Sequence, residues 1–488
     1  MENNINILDN ILKKDISQMH NYADFFKFLK KVKNPEYFLK ISIFDKEEYK
    51  DIKNEFENKL KNNSLSKLEK ACIGSILGMA IGDAIGAKLE FLPLNYGAQV
   101  IDGMNNKYGG QFMLKPGQWT DDTSMGLCLA DSLIEKKGHF DPNDIMMRFI
   151  LWWFYGYNNA FRFDNERKNK HSIGLGGNIS GSIEKYIKEK GIDKYTKYGN
   201  RNTSGNGSIM RNAAIPICYY LYEKSALELA KYQSLITHQG EEAAECCQLL
   251  TYIIIKILNT KIERCYPAVI DEINIDKDNN EKSLRNILDD LEGFQCNCAS
   301  VKYLANSQIE QNEKKRNWNW KDKNFKYDEG RAKKQSTYIG SYCMDGLAMA
   351  LHVLYHTNNF KDAILKAVNL CGDADSLGSI VGQIGGAYYE VDSFPPDWIQ
   401  AINKWDHNEI ALRGYILCNL NLKPIKNINI KDNNILIKDN IDKIESIDYI
   451  NINEGLFSRE KNDLMDFANL NGDRKFKRYN NNDCCNIF

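Results

Sequence analysis

Apolar positions in the middle of this chain recur at three- and four-residue intervals. That period marks Ser124–Lys136, Pro142–Phe154, Glu241–Leu258, Ser341–His356 and Phe360–Asn369 as helices. Period-two alternation, the mark of strands, is sparse, so the fold predicted is all-α. Two further segments carry a glycine at every fourth position: Gly74, Gly78, Gly82 and Gly86 within Ile73–Leu89, and Gly378, Gly382 and Gly386 within Ser376–Glu390. Residues four apart share one helix face, so each segment has a stripe without side chains. Glycine inside a helix costs about 1 kcal/mol against alanine. A row of them is tolerated only where close backbone approach gives something back. Both segments are therefore expected to be buried, tightly packed core helices.

The pattern divides the chain into three parts. Residues 1–66 have short helical periods, as in Tyr22–Val32 and Lys46–Leu60, and read as a helical N-terminal extension. Residues 67–420, richer in Gly, Ala and apolar side chains, form the core. Inside it, Cys296–Lys334 is polar and charged and holds Asn317-Trp318-Asn319-Trp320, which predicts an insertion or long loop. Residues 421–488 are dominated by Ile, Asn, Asp and Lys, and no chemistry is assigned to them.

Charge and cysteine usage narrow the function classes. Lys plus Arg (64) nearly cancels Asp plus Glu (65), so nucleic acid and anionic membrane are not expected as partners. The apolar runs near Leu249–Leu258 and Ala213–Tyr222 are too short to span a bilayer, and Met1–Asn10 lacks the pattern of a secretory signal. The thirteen cysteines include the adjacent pairs Cys246–Cys247 and Cys484–Cys485 and fit neither a disulfide framework nor zinc spacing. Reduced thiols in a soluble, cytoplasmic protein are expected.

The chemistry lies in two acidic turns. Gln118-Trp119-Thr120-Asp121-Asp122-Thr123 precedes one predicted helix, and Cys371-Gly372-Asp373-Ala374-Asp375-Ser376 precedes the second glycine segment. An Asp or Thr at a helix start caps free N–H groups, and the helix dipole favours its charge. Capping needs one side chain, however, not four carboxylates in two turns. If the turns face one another, their repulsion calls for a cation between them. Hard oxygen donors suit Mg²⁺ or Mn²⁺, and their number allows two ions.

In order along residues 67–390, several pieces resemble the ADP-ribosylglycohydrolase family. They are Gly78-Met-Ala-Ile-Gly-Asp83-Ala-Ile-Gly86 through Glu90-Phe91, Trp119–Thr123, Ser204–Arg211, Thr237-His238, Tyr342–Leu351, and Gly372–Gly378 through Gly385–Tyr389. Neither end of the chain is covered, nor most of Cys296–Lys334. The resemblance implies a compact orthogonal multi-helix bundle that acts as a monomer. It implies a hydrolase that cuts the glycosidic bond between ADP-ribose and an arginine or serine of a protein, or a small conjugate. Thr120, Asp121, Asp122, Asp373, Asp375 and Ser376 match ligands of two Mg²⁺ (or Mn²⁺) ions. Glu90 matches a glutamate on a mobile loop over the metals. Ser204, Gly205, Asn206 and His238 match residues around the ADP-ribose, and Gly174 and Gly176 resemble a loop near its diphosphate.

Several of these residues have plainer readings. The Gly174–Gly177 stretch could be an ordinary turn, and His238 a hydrogen-bonded core histidine. Asp83 is given no role beyond capping or bonding within its packed helix, and Arg211 is expected to fix the Asn206 loop. For catalysis, Asp121, Asp122, Asp375 and Glu90 are the candidates. The ions would hold the ribose hydroxyls and a water near the anomeric carbon, and an aspartate of the site or Glu90 would move the proton. Cys371 stands where the family commonly has glycine and Ser376 where it has threonine; neither change removes a ligand. A non-catalytic ADP-ribose-binding relative and a two-metal hydrolase of another nucleotide are the alternatives.

Overall fold

A computed structural model describes residues 36–104, 109–189, 203–262, 283–331 and 339–420. The period at Tyr22–Val32, the tail from residue 421 and Cys484–Cys485 lie outside them. The described residues contain sixteen α-helices and no β-strand, in line with the all-α expectation. In chain order these are α1 (Glu36–Lys40), α2 (Lys50–Lys61), α3 (Lys67–Gly86), α4 (Asp121–Glu135), α5 (Pro142–Tyr155), α6 (Gly177–Lys188), α7 (Ala214–Tyr219) and α8 (Glu223–Leu235). They continue with α9 (Glu241–Thr260), α10 (Leu284–Asp289), α11 (Ala299–Ala305), α12 (Cys343–Tyr355), α13 (Phe360–Val368), α14 (Ala374–Tyr389), α15 (Pro396–Asp406) and α16 (Glu409–Asn419).

The two glycine stripes pack against each other. A Cβ on Gly74 would overlap the carbonyl of Gly386; on Gly78, that of Gly382; on Gly82, that of Gly378; and on Gly86, that of Ala374. The pairing runs in opposite directions, so α3 and α14 are antiparallel with their backbones in contact. Spacing alone marked both helices as tightly packed; it did not say that each was the other's partner. The register brings the C-terminal end of α3 against the N-terminal end of α14. Around this pair, Gly414 of α16 sits on Ile73 and Cys72. A buried Arg413–Asp131 pair (2.7 Å), with Tyr157 on the same carboxylate (2.6 Å), ties α16 to α4.

The segment before α3 packs onto this body. Phe38 lies against Tyr155 (ring centroids 5.1 Å apart) and Phe56 against Tyr415 (5.2 Å). Ser66 and Glu69 form a reciprocal capping box at the start of α3. In the Lys46–Leu60 stretch, only Lys50 onward is α-helix; Glu47–Tyr49 is a 3-10 turn.

The stretch from Cys296 differs from the loop expected. Its described part, Cys296–Arg331, contains α11 and a bridge between Ile309 and Asn317, and Trp318 and Trp320 are fully buried. Trp318 donates to Glu310 (2.9 Å) and has the guanidinium groups of Arg316 and Arg331 over its ring; Trp320 donates to the Leu304 carbonyl (2.7 Å). Both indoles belong to the main hydrophobic core, so neither is free to stack on a base. All ten described cysteines are free thiols, and no described helix is long and apolar enough to cross a membrane.

Candidate active site

The two acidic turns meet where α3, α4 and α14 converge. Asp121 and Asp122 lie in the first turn of α4 and Asp375 in the first turn of α14, not ahead of these helices as expected. Charge at a helix N-terminus is accommodated by the dipole, so the helices start within the acidic clusters. Thr120 and Asp373 occupy the N-cap positions, yet neither side chain caps its own helix. The Thr120 hydroxyl donates to Asp83 (2.8 Å), and Asp373 Oδ2 accepts from the Asn206 amide (3.0 Å). Capping therefore does not explain these residues.

Two sets of carboxylate oxygens lie within 4.8 Å of one another: Asp83, Asp122 and Asp375, and Glu90, Asp373 and Asp375. Asp375 belongs to both. Burial first, then mutual repulsion, holds the Glu90, Asp121, Asp122 and Asp375 carboxyls well above the usual carboxylate range. No lysine or arginine stands among the chief influences on these four. Asp122 Oδ1 is buried without a hydrogen-bond partner. An orphaned carboxylate oxygen in an all-oxygen cluster suits a hard divalent cation, so the residues present fit such an ion. Glu90 is only half-buried and lies on the open side, with Gln111 as a distant neighbour (3.5 Å).

The loops carrying these residues interlock. Phe91 N–H donates to the Gly372 carbonyl (2.8 Å) and Gly372 N–H to the Leu92 carbonyl (3.0 Å), which joins the Glu90 segment to the turn before α14. Cys371 and Gly372 both have left-handed backbones, φ 62° and 65°. That conformation gives a physical reason for glycine at the Cys371 position. Ser376 is buried, its hydroxyl near Met210 Sδ (3.7 Å).

The residues expected around ADP-ribose cluster beside the acidic set. Gly174 has φ +87°, and a Cβ there would overlap Asp121 Oδ1, so its backbone lies directly on that carboxylate. Gly176 is the N-cap residue of α6. Asn206 joins the Gly340 carbonyl (3.2 Å) to Asp373, while Gly205 pairs with Tyr342 and faces the His238 ring. Ser204 is buried against Gly240, and its carbonyl accepts from Cys343 N–H (2.9 Å). His238 is buried, its Nδ1 paired with the Thr237 hydroxyl (2.8 Å). Burial, then the Arg211 charge, pushes its pKa down to about 3, so it is neutral at pH 7. Arg211 reaches the Asn206 loop through Gln233, which accepts from its Nε (3.2 Å) and donates to the Ser208 carbonyl (3.0 Å); it also donates to Thr237 (2.8 Å), in the turn that carries His238.

Asp83 bonds across helices rather than within its own. Both its oxygens accept donors of Thr120 and Thr123 on α4. The signal for it was present: Asp83 is the one charged residue in the run from Ala71 to Ala87.

The sequence profile of the ADP-ribosylglycohydrolase family matches residues 64–421. The ADP-ribosylarginine hydrolase Tri1 of Pseudomonas putida is 32% identical over 335 residues, 67% of this chain and 73% of that protein. The ADP-ribosyl-(dinitrogen reductase) glycohydrolase of Rhodospirillum rubrum is 26% identical over 340 residues, 69% and 92% of the two chains. A solved ADP-ribosylglycohydrolase-related protein complex aligns with a TM-score of 0.51 at 28% identity, covering 72% of this chain and 100% of that one. With a profile match across most of its length and a helical body built on two acidic turns, the chain belongs to the ADP-ribosylglycohydrolase family.

Proposed function

We propose that this protein is a cytoplasmic hydrolase of the bond between ADP-ribose and an arginine side chain of a protein, and that it works with two Mg²⁺ or Mn²⁺ ions. Thr120, Asp121, Asp122, Asp373, Asp375 and Ser376 would hold the ions. Relatives named ADP-ribosylarginine hydrolase, at 32% and 30% identity, support arginine as the acceptor. The observation that carries the metal reading is the meeting of the two acidic turns, 255 positions apart at Thr120 and Asp375, with an orphaned oxygen on Asp122.

When bound, divalent cations supply Lewis acidity to ribose hydroxyls and to a water beside the anomeric carbon. The protein's part is orientation. Asn206 would fix Asp373, and the Gly174 backbone would press on Asp121, so the acidic oxygens are held before substrate arrives. The N-terminus of α6, beside Gly174 and Gly176, offers backbone N–H groups suited to the diphosphate. Glu90 is the carboxylate of the set that reaches solvent, which favours it for exchanging the proton that the leaving guanidine needs.

The test is incubation with arginine-ADP-ribosylated protein in Mg²⁺ or Mn²⁺, with products separated chromatographically. Release of intact ADP-ribose supports the proposal. Binding without turnover points to a non-catalytic relative, and release of AMP or phosphate to a different two-metal hydrolase.

A further inference from the structure

Asp83 lies between Gly82 and Gly86 near the C-terminal end of α3, beside the acidic turns, and is fully buried. Its Oδ1 accepts from the Thr120 N–H (3.0 Å) and the Thr120 hydroxyl (2.8 Å). Its Oδ2 accepts from the Thr123 N–H (3.0 Å), the Thr123 hydroxyl (2.6 Å) and, at 3.1 Å, the shared Thr120 N–H. Every one of these donors sits at the start of α4.

A threonine hydroxyl has one proton and two lone pairs. Three carboxylate oxygens lie within reach of Thr120 Oγ1: Asp83 Oδ1 at 2.8 Å, Asp122 Oδ2 at 3.3 Å and Asp375 Oδ2 at 3.4 Å. The shortest contact takes the proton. Once it does, the lone pairs are left for the side where Asp122 and Asp375 stand. We infer that Asp83 is a positioning residue: it captures the Thr120 hydroxyl proton and so turns Thr120 Oγ1 into a fixed acceptor towards a divalent cation between Asp122 and Asp375. This rests on the metal reading above. It also gives the glycine stripes a purpose, because backbone contact between α3 and α14 is what brings the end of α3 to the acidic turns.

The chemistry of the replacement amide makes the inference testable. In Asp83→Asn, the amide oxygen can still serve Thr123, but the amide NH₂ then faces Thr120 Oγ1. Two donors cannot share one proton position, so the Thr120 proton turns towards Asp122 and Asp375 and competes with the cation. A direct ligand and a positioning residue differ in additivity. If Asp83 acts through Thr120, removing both costs no more than removing one.

The experiment is calorimetric titration of Mn²⁺ into the full-length protein and into Asp83→Asn, Thr120→Val and the double variant, beside the melting curve of each without metal. Each single substitution should weaken Mn²⁺ binding by about 10- to 100-fold. The double variant should match the weaker single, and the metal-free melting curves establish that each variant is folded before its affinity is read. Wild-type affinity in Asp83→Asn, or losses that multiply in the double variant, would overturn the inference while leaving the metal reading intact. Absence of Mn²⁺ binding by the unsubstituted protein would remove both. If Asp83→Asn does not fold, Thr123→Val, which loosens the same carboxylate from α4, should still weaken Mn²⁺ severalfold, and unchanged affinity there also overturns it.

Discussion

Gly82 and Gly378 touch backbone to backbone: a Cβ on either would fall within the carbonyl group of the other. Backbone cannot rotate aside as a side chain can, so the helices themselves must separate. Gly82→Ala is expected to destabilise the protein by about 3 kcal/mol, measured as a shift in the urea midpoint. Gly181, with nothing within 4 Å of its Cβ position, is the control, and Gly181→Ala should leave the midpoint nearly unchanged or raise it.

Asp375 is shared by both carboxylate sets, and its neighbours are of like charge. Asp375→Asn is expected to cut ADP-ribose release by about 100-fold or more. The same substitution relieves repulsion in the metal-free protein, so its metal-free melting temperature should equal or exceed that of the unsubstituted chain. A variant that is both inactive and much less stable would mean that Asp375 serves the fold instead.

His238 gives a pH signature with a definite sign. Its folded pKa, down to about 3, lies below the unfolded value near 6.5, so the unfolded chain binds more protons as pH falls. The neutral ring therefore contributes stability above pH 6.5 that is lost progressively between 6.5 and 3. At pH 5 the loss is about 2 kcal/mol relative to pH 7.5. His238→Gln, which does not ionise, should lack that component, and the difference between the two denaturation series isolates it. The activity profile should show no limb near pH 6.5 from this residue.

Trp318 tests the packed nature of the stretch from Cys296. It is fully buried, hydrogen-bonded to Glu310 and in contact with two guanidinium groups. Trp318→Ala should cost about 3–5 kcal/mol. A loose surface loop would show almost no change in the denaturation midpoint.

Much of this was legible because it is written in local spacing. A glycine every fourth residue names a helix face, and two carboxylates at a helix start name a charged end. What spacing leaves out is the partner. Nothing in Gly74–Gly86 says that Gly378–Gly386 fills its groove, and the partners of Asp83 lie 37 and 40 positions away. Helix boundaries slipped at Asp121 and Asp375 because polar side chains read as loop, although a helix N-terminus welcomes them. The stretch from Cys296, read as an insertion or long loop, hid its buried side chains for a related reason. Its average polarity concealed Trp318 and Trp320, two large side chains that join the main core beside Tyr342 and Tyr355. Arg211, read as a brace for the Asn206 loop, acts there through Gln233 and also bonds to Thr237, a relay that no motif encodes.

The account depends on catalysis at a cation held by the two acidic turns. The most direct measurement is ADP-ribose release from arginine-ADP-ribosylated protein by the full-length chain, first stripped with a chelator and then titrated with Mg²⁺ or Mn²⁺. The account predicts no release from the stripped protein and recovery as metal is added. Undiminished release after stripping, or none at any metal concentration, would contradict it.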